Sequence, residues 1–176
     1  LLENIGELLM NRRSVLQSLG SFAALAALSD CAGAEPVLGL VGKPASFWKP
    51  LVSAPAWDVL FKEDTERPFS SPLNDEHRAG TFICAACYLP LFKSEAKFNS
   101  GSGWPSFFDP LPNAVATKTD RLLIFETRTE YHCARCGGHQ GHIFDDGPKP
   151  TGKRYCNDGV ALNFVPTGTA LPALRG

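Results

Sequence analysis

The sequence predicts a mainly β protein of antiparallel strands with short N-terminal helices, on three observations. Short strand-like runs alternate with turn signals such as Asp145-Asp146-Gly147-Pro148 and Asn157-Asp158-Gly159, and no long helical period appears. The 14 prolines and 16 glycines call for many turns. Two Cys-x-x-Cys pairs, Cys84/Cys87 and Cys133/Cys136, have the spacing at which both sulfurs of a turn face one tetrahedral metal. Such a metal would pin two distant strand turns of a single domain.

A chain of 176 residues, 44% hydrophobic and 20% charged, fits one domain with an apolar core. The 17 basic and 18 acidic residues nearly cancel, which excludes the basic excess of a nucleic-acid binder. No coiled-coil pattern or large apolar face is visible, so a monomer is expected.

Residues 1–34 read as an upstream extension and a twin-arginine-type signal peptide. Met10, the only methionine, precedes Arg12-Arg13, an apolar stretch from about Val15 to Leu28, and the small-x-small site Ala32-Gly33-Ala34. The run is too short and too interrupted to span a bilayer, so no membrane insertion is expected after cleavage. Export, into a bacterial periplasm, is the expected destination. Residues 35–53, rich in Pro, Gly, Ala and Ser, form a linker or wrapping arm. The folded domain then occupies 54–167, and 168–176 is a C-terminal tail.

Ala54–Lys62 is expected to be a short helix with Trp57, Leu60 and Phe61 as its apolar face. An irregular stretch opened by Thr65-Glu66-Arg67-Pro68-Phe69 runs to Gly80. Strands are expected at Thr81–Ile83, at Leu122–Tyr131 (the longest), at Gly141–Phe144 and at Val160–Phe164.

Two matched Cys pairs favour one structural zinc over a thioredoxin-like dithiol, because closed four-sulfur coordination leaves no open position for substrate. With Cys31 removed alongside the signal, Cys156 is the one thiol outside the pairs. It lies in the polar segment Arg154-Tyr155-Cys156-Asn157-Asp158-Gly159, unlike a core cysteine, and a neighbouring cation or imidazole would lower its pKa. His139 and His142 flank Gly141 upstream. In a regular strand they would face opposite ways, and Gly137-Gly138 favours a tight turn there. Taken singly, each histidine is more often a hydrogen-bonded structural residue than a catalyst. Trp104, in a loop of Gly, Ser and Pro, is either a pocket wall or a plug packed on the sheet.

Gly103-Trp104-Pro105-Ser106-Phe107, His139-Gln140-Gly141-His142-Ile143-Phe144, Asp146-Gly147-Pro148 and Arg154-Tyr155-Cys156, in this order with the paired Cys turns, make the chain resemble the B-type methionine sulfoxide reductases. The resemblance runs from about Trp57 to Pro166. It implies two antiparallel sheets in a small barrel-like domain pinned by a four-cysteine zinc site. It implies reduction of methionine-R-sulfoxide, free or in proteins, with a thioredoxin-like or small-thiol reductant as partner. Carried over by position, Cys156 is the nucleophile, and His139 and His142 line the site and help protonate the sulfoxide oxygen. Trp104 receives the ε-methyl group, and Phe107, Asp146 and Arg154 stand beside the substrate.

Two departures bear on mechanism. Where many members carry a resolving Cys before the Trp, this chain has Ser102. Where the family usually has Asn two residues after the nucleophile, it has Asp158, a carboxylate that would disfavour the thiolate or orient a His. A one-cysteine cycle is therefore expected. The alternative is a non-catalytic, zinc-stabilised β binding module, which would need no thiolate.

Overall fold

The structure is a computed structural model that describes residues 41–123 and 126–176, with the backbone alone of 120–123 and 126–127. The expected signal, Cys31 and the first part of the arm lie outside the described residues. No helix among the described residues is long and apolar enough to cross a membrane.

The described part of the arm, residues 41–53, is folded. Helix α1 (Ala45–Trp48) buries Trp48 completely. Helix α2 (Ala54–Lys62) starts where the Ser53 hydroxyl accepts the Ala56 N–H at 3.3 Å, with Pro55 in its first turn. It ends at Glu63, in the left-handed region at φ 59°. Its fully buried side chains are Ala56, Val59 and Leu60, spaced i, i+3, i+4, so the apolar face is set differently from the expected one. Of the expected residues Leu60 lies on it, and Phe61, partly buried, packs on the core by stacking with Trp48. Trp57 is half-buried because its ring carries two cations, Lys49 and Lys62, at 4.9 and 4.8 Å.

Among the described residues, nine strands build two antiparallel sheets. β1 (Gly80–Cys84) sits between β2 (Pro90–Lys93) and β9 (Leu162–Pro166). The larger sheet has the order β3 (Lys97–Phe98), β4 (Ser106–Phe107), β8 (Arg154–Asn157), β7 (His139–Phe144), β6 (Glu126–Cys133), β5 (Val115–Leu123). Buried rings join the sheets. Phe92 of the small sheet stacks on Phe107 of the large one at 4.2 Å, Phe82 meets Phe107 edge-on at 4.9 Å, and Tyr131 closes the cluster.

The single strand expected over Leu122–Tyr131 is two. Val115–Leu123 and Glu126–Cys133 pair antiparallel, from Val115 opposite Cys133 to Leu123 opposite Glu126. A run of apolar and then alternating residues reads alike whether the chain continues or doubles back, since both arms share the period of two.

The C-terminal tail returns to the Cys turns. Arg175 donates its backbone N–H to Cys87 O at 3.0 Å, and its guanidinium lies 3.8 Å over the Tyr88 ring.

Candidate active site and metal centre

The two Cys turns follow one template. In each, a backbone bond reaches back to the first cysteine, from Tyr88 to Cys84 O at 3.0 Å and from Gly137 to Cys133 O at 2.9 Å. The residue after each second cysteine has a positive φ, 65° at Tyr88 and 76° at Gly137. Cys84 and Cys87 sit at the β1–β2 turn of one sheet, and Cys133 and Cys136 at the β6–β7 turn of the other. All four are buried, with their sulfurs within 4.8 Å of one another. Cys84–Cys136 and Cys87–Cys133 sulfurs stand 3.6 and 3.5 Å apart. Tetrahedral zinc with Zn–S of about 2.3 Å needs sulfurs about 3.8 Å apart. Four buried thiols converging at this spacing fit one structural zinc, and Gln140 donates to Cys84 Sγ at 3.6 Å as a supporting bond.

Cys156 occupies the middle of the large sheet, on β8 between β4 and β7, opposite both Ser106 and His142. Alternation along the strands sorts the side chains. Arg154 and Cys156 face one side, while Asn157 turns inward and bonds Tyr131 Oη at 2.7 Å. The same rule corrects the expectation for Phe107. Ser106 takes the Cys156 side of β4, and Phe107, fully buried against Phe92, belongs to the core and touches no cleft.

The two histidines share a face through a bulge. Tyr131 pairs with Gly141 and His132 with His139, so β7 carries one extra residue, Gln140, against β6. The extra residue turns a three-residue spacing back onto one side, and the two imidazoles lie 5.5 Å apart. Gly141 is required here: φ is 148°, and a Cβ would come within 1.9 Å of Cys156 O. A strand bulge, rather than the expected tight turn, thus brings the pair together.

A cleft of about 130 Å³ opens over the thiol, lined by Trp104, His142, Phe144, Cys156 and Asp158 among others. Trp104 is a wall of this cleft, held by its Nε1–H on Glu66 O at 3.1 Å. Arg154 lies 4.2 Å over the Phe144 ring and makes a bidentate pair with Asp146 at 2.8 and 2.9 Å. Asp146 therefore reaches the site only through Arg154. Ser102 Oγ stands 3.9 Å from Cys156 Sγ, at the end of a hydroxyl chain through Ser100 to Ser106 with links of 2.7 and 2.8 Å.

Burial raises the Cys156 pKa, and Asp158 adds to this, outweighing the opposing pull of the Arg154 guanidinium and the Ser102 hydroxyl. The resting group is a thiol, not the thiolate expected from its basic neighbour. His139 is the reverse case. Burial disfavours its charge, but the carboxylates of Asp158 and Glu130 prevail and lift its pKa to about 9. Its Nδ1 lies 2.7 Å from Glu130 Oε1 and its Nε2 3.6 Å from Asp158 Oδ2, all three side chains being buried.

A pH effect follows. Since the folded value stands above the ordinary 6.5, charged His139 stabilises the fold fully below pH 6.5, and that contribution is lost as pH rises through about 9. The loss should be at most about 3 kcal/mol. Urea midpoints should therefore fall from pH 6 to pH 9.5 in the native protein and fall much less in Glu130→Gln. Parallel slopes in the two proteins would refute this account.

Several site residues carried no signal in the sequence. Phe144 was legible only as the next residue on the His142 face of the strand. Glu66 and Glu130 are lone carboxylates in a loop and a strand. The structure alone shows Glu66 N–H bonded to Asp158 Oδ1 at 2.9 Å, and the Glu66 carboxylate taking the N–H groups of Gly159 and Val160.

A zinc-pinned β sandwich that presents one thiol to a small aromatic-walled cleft, with imidazole across from it, defines a thiol-dependent oxidoreductase. The SelR domain model matches residues 52–166, and the chain belongs to that family. Among its relatives, the peptide methionine sulfoxide reductase MsrB of Xylella fastidiosa (strain 9a5c) is 51% identical over 114 residues, covering 65% of this chain and 74% of that protein. The MsrB of Pseudomonas putida (strain W619) is 44% identical over 126 residues, 72% of this chain and 95% of that protein. The MsrB of Methanosarcina barkeri is 45% identical over 124 residues, 70% and 87% respectively.

Proposed function

We propose that this protein reduces methionine-R-sulfoxide to methionine, free or within polypeptides, with Cys156 as nucleophile. The observation that carries this reading is the half-buried thiol at the floor of a cleft, with His142 directly across the ladder and the Trp104 ring as a wall. A thioether-sized group packs well against such a ring. Cys156 Sγ attacks and bonds to the sulfoxide sulfur as the oxygen takes up a proton; the resulting hydroxyl then passes to Sγ while the S–O bond and the new S–S bond break, leaving an electron pair on the methionine sulfur. The thiol supplies the proton, which His142 carries to the oxygen. The products are methionine and a Cys156 sulfenic acid. Two external thiol groups then reduce that acid to the thiol, releasing water and forming a disulfide between themselves.

Ser102 supports the external step. It occupies the position within reach of Cys156 Sγ from which a resolving thiol would attack, and it offers a hydroxyl. A small thiol or a thioredoxin-like dithiol is therefore the reductant. The Arg12-Arg13 signal supports export by the twin-arginine route, with repair of oxidised periplasmic proteins as the role.

The test is turnover of separated R and S epimers of a methionine sulfoxide peptide with a small dithiol. Only the R epimer should be reduced. After one equivalent of substrate without reductant, intact-mass analysis should show a single added oxygen on Cys156. Reduction of the S epimer alone, or of neither by zinc-loaded protein, would defeat the proposal, the latter favouring a binding module. An intramolecular disulfide would defeat the one-cysteine cycle.

A further inference from the structure

We infer that Glu130 is a positioning residue for this reaction, acting through His139, Asp158 and Glu66 on the Trp104 wall of the cleft. The inference rests on the proposed reduction of methionine sulfoxide.

The links are continuous. Glu130, 3% exposed, holds His139 Nδ1 with one carboxylate oxygen at 2.7 Å and Lys118 Nζ with the other at 3.0 Å. His139, also 3% exposed, directs Nε2 at Asp158 Oδ2 from 3.6 Å, and that nitrogen has no hydrogen-bond partner. Asp158 Oδ1 accepts the Glu66 N–H at 2.9 Å, and Glu66 O accepts the Trp104 indole N–H at 3.1 Å. The Glu66 carboxylate closes the loop by taking Val160 N–H at 3.2 Å and Gly159 N–H. A buried carboxylate two strands from Cys156, on the same face of the sheet, is thus connected to the ring that walls the substrate site, the His139–Asp158 step being an ion-pair contact and not a hydrogen bond.

Charge explains why the chain needs Glu130. A carboxylate at position 158, where the family usually has an amide, is buried and needs a counter-ion. His139 is that counter-ion, acting on Asp158 by charge across 3.6 Å and not by a hydrogen bond. Its Nδ1 is held by Glu130, whose charge Lys118 balances from the opposite side. Lys118, which also pairs with Glu63, reaches Glu130 from the exposed side, so the buried part of the set is Glu130, His139 and Asp158. Both His139 nitrogens face carboxylates, and His139 is not among the groups lining the cleft over Cys156. It is therefore a bridge, and His142 alone of the pair is placed to move a proton to the substrate. Glu130 touches no reacting atom. Its effect is to fix where Asp158, Glu66 and Trp104 stand.

The experiment uses zinc-loaded, full-length protein and the variants Glu130→Gln, Asp158→Asn and the double variant. Two readouts are taken: kcat and KM for a methionine-R-sulfoxide peptide, and the NMR resonance of the Trp104 indole N–H, assigned with Trp104→Phe. Glu130→Gln should lower kcat about 10- to 100-fold through misplacement of the wall, with zinc content unchanged and the Trp104 resonance displaced. In the Asp158→Asn background the same change should cost far less, since the counter-ion is no longer needed. Wild-type kcat in Glu130→Gln, an unmoved Trp104 resonance, or additive losses would overturn the inference. If Glu130→Gln does not fold, Asp158→Asn tests the relay from its other end by the same resonance. If the wild-type protein reduces neither epimer, the proposed function fails, while the Trp104 resonance still decides the relay.

Discussion

Replacing Cys156 with serine should abolish sulfoxide reduction, by on the order of 10⁴-fold or more in kcat, while the protein remains folded and zinc-loaded. In the proposed reaction the thiol is the attacking group, and a hydroxyl in its place is a far poorer nucleophile toward sulfur and ionises far less readily. The substitution spares the fold because Cys156 is half-buried at the floor of an open cleft and the aromatic core lies on the other face of its strand. Alkylation of the native protein gives the matching result. Among the described residues Cys156 should be modified first, because the other four cysteines are buried. Its modification rate should climb as pH rises above neutrality, since burial holds its pKa above the ordinary thiol value. Turnover that survives Cys156→Ser would place the nucleophile elsewhere.

Stripping the zinc, or replacing Cys87 with serine, should unfold the domain. Cys84 and Cys87 belong to the small sheet and Cys133 and Cys136 to the large one, so one ion joins two sheets that share no ladder. Structural zinc on four thiolates supplies about 10–16 kcal/mol, as much as the whole stability of an ordinary domain, about 5–15 kcal/mol. The damage should also reach the cleft. Cys84 Sγ accepts from Gln140, whose side-chain oxygen accepts from Asn157 at 3.3 Å, and Asn157 adjoins Cys156 on β8. Metal analysis should find one zinc per chain, and chelation should abolish the cooperative melt and the activity together. A metal-free protein with native melting behaviour would refute this, and would reopen a dithiol role for the Cys pairs.

The zinc site was fully legible in the order of residues. Two identical Cys spacings announce a tetrahedral centre because ligand geometry is local: each pair is set by its own turn. The same holds for turn-bounded strands and for Cys156, a lone thiol in a polar segment. Errors arose where a local pattern has two tertiary solutions. A run read as one strand over Leu122–Tyr131 proved to be two arms of a hairpin, since alternation is identical in both. The helix buries Ala56 and Val59 with Leu60, while the Trp57 ring stays half-buried against Lys49 and Lys62. Phe107 moved from the substrate to the core because one step along β4 changes the face.

The sequence by itself determined the β class, the four converging cysteines and the family, and singled out Cys156 as the nucleophile now proposed, all of which depend on residue type at short spacing. Only the tertiary structure decided how the cleft works. The bulge at Gln140 put both histidines on one side, burial kept the Cys156 thiol neutral, two carboxylates kept His139 charged, and residues as distant as Glu66, Glu130 and Asp158 became one connected set. Those outcomes depend on distance and solvent exclusion across strands that are far apart in the chain, and no local spacing encodes them.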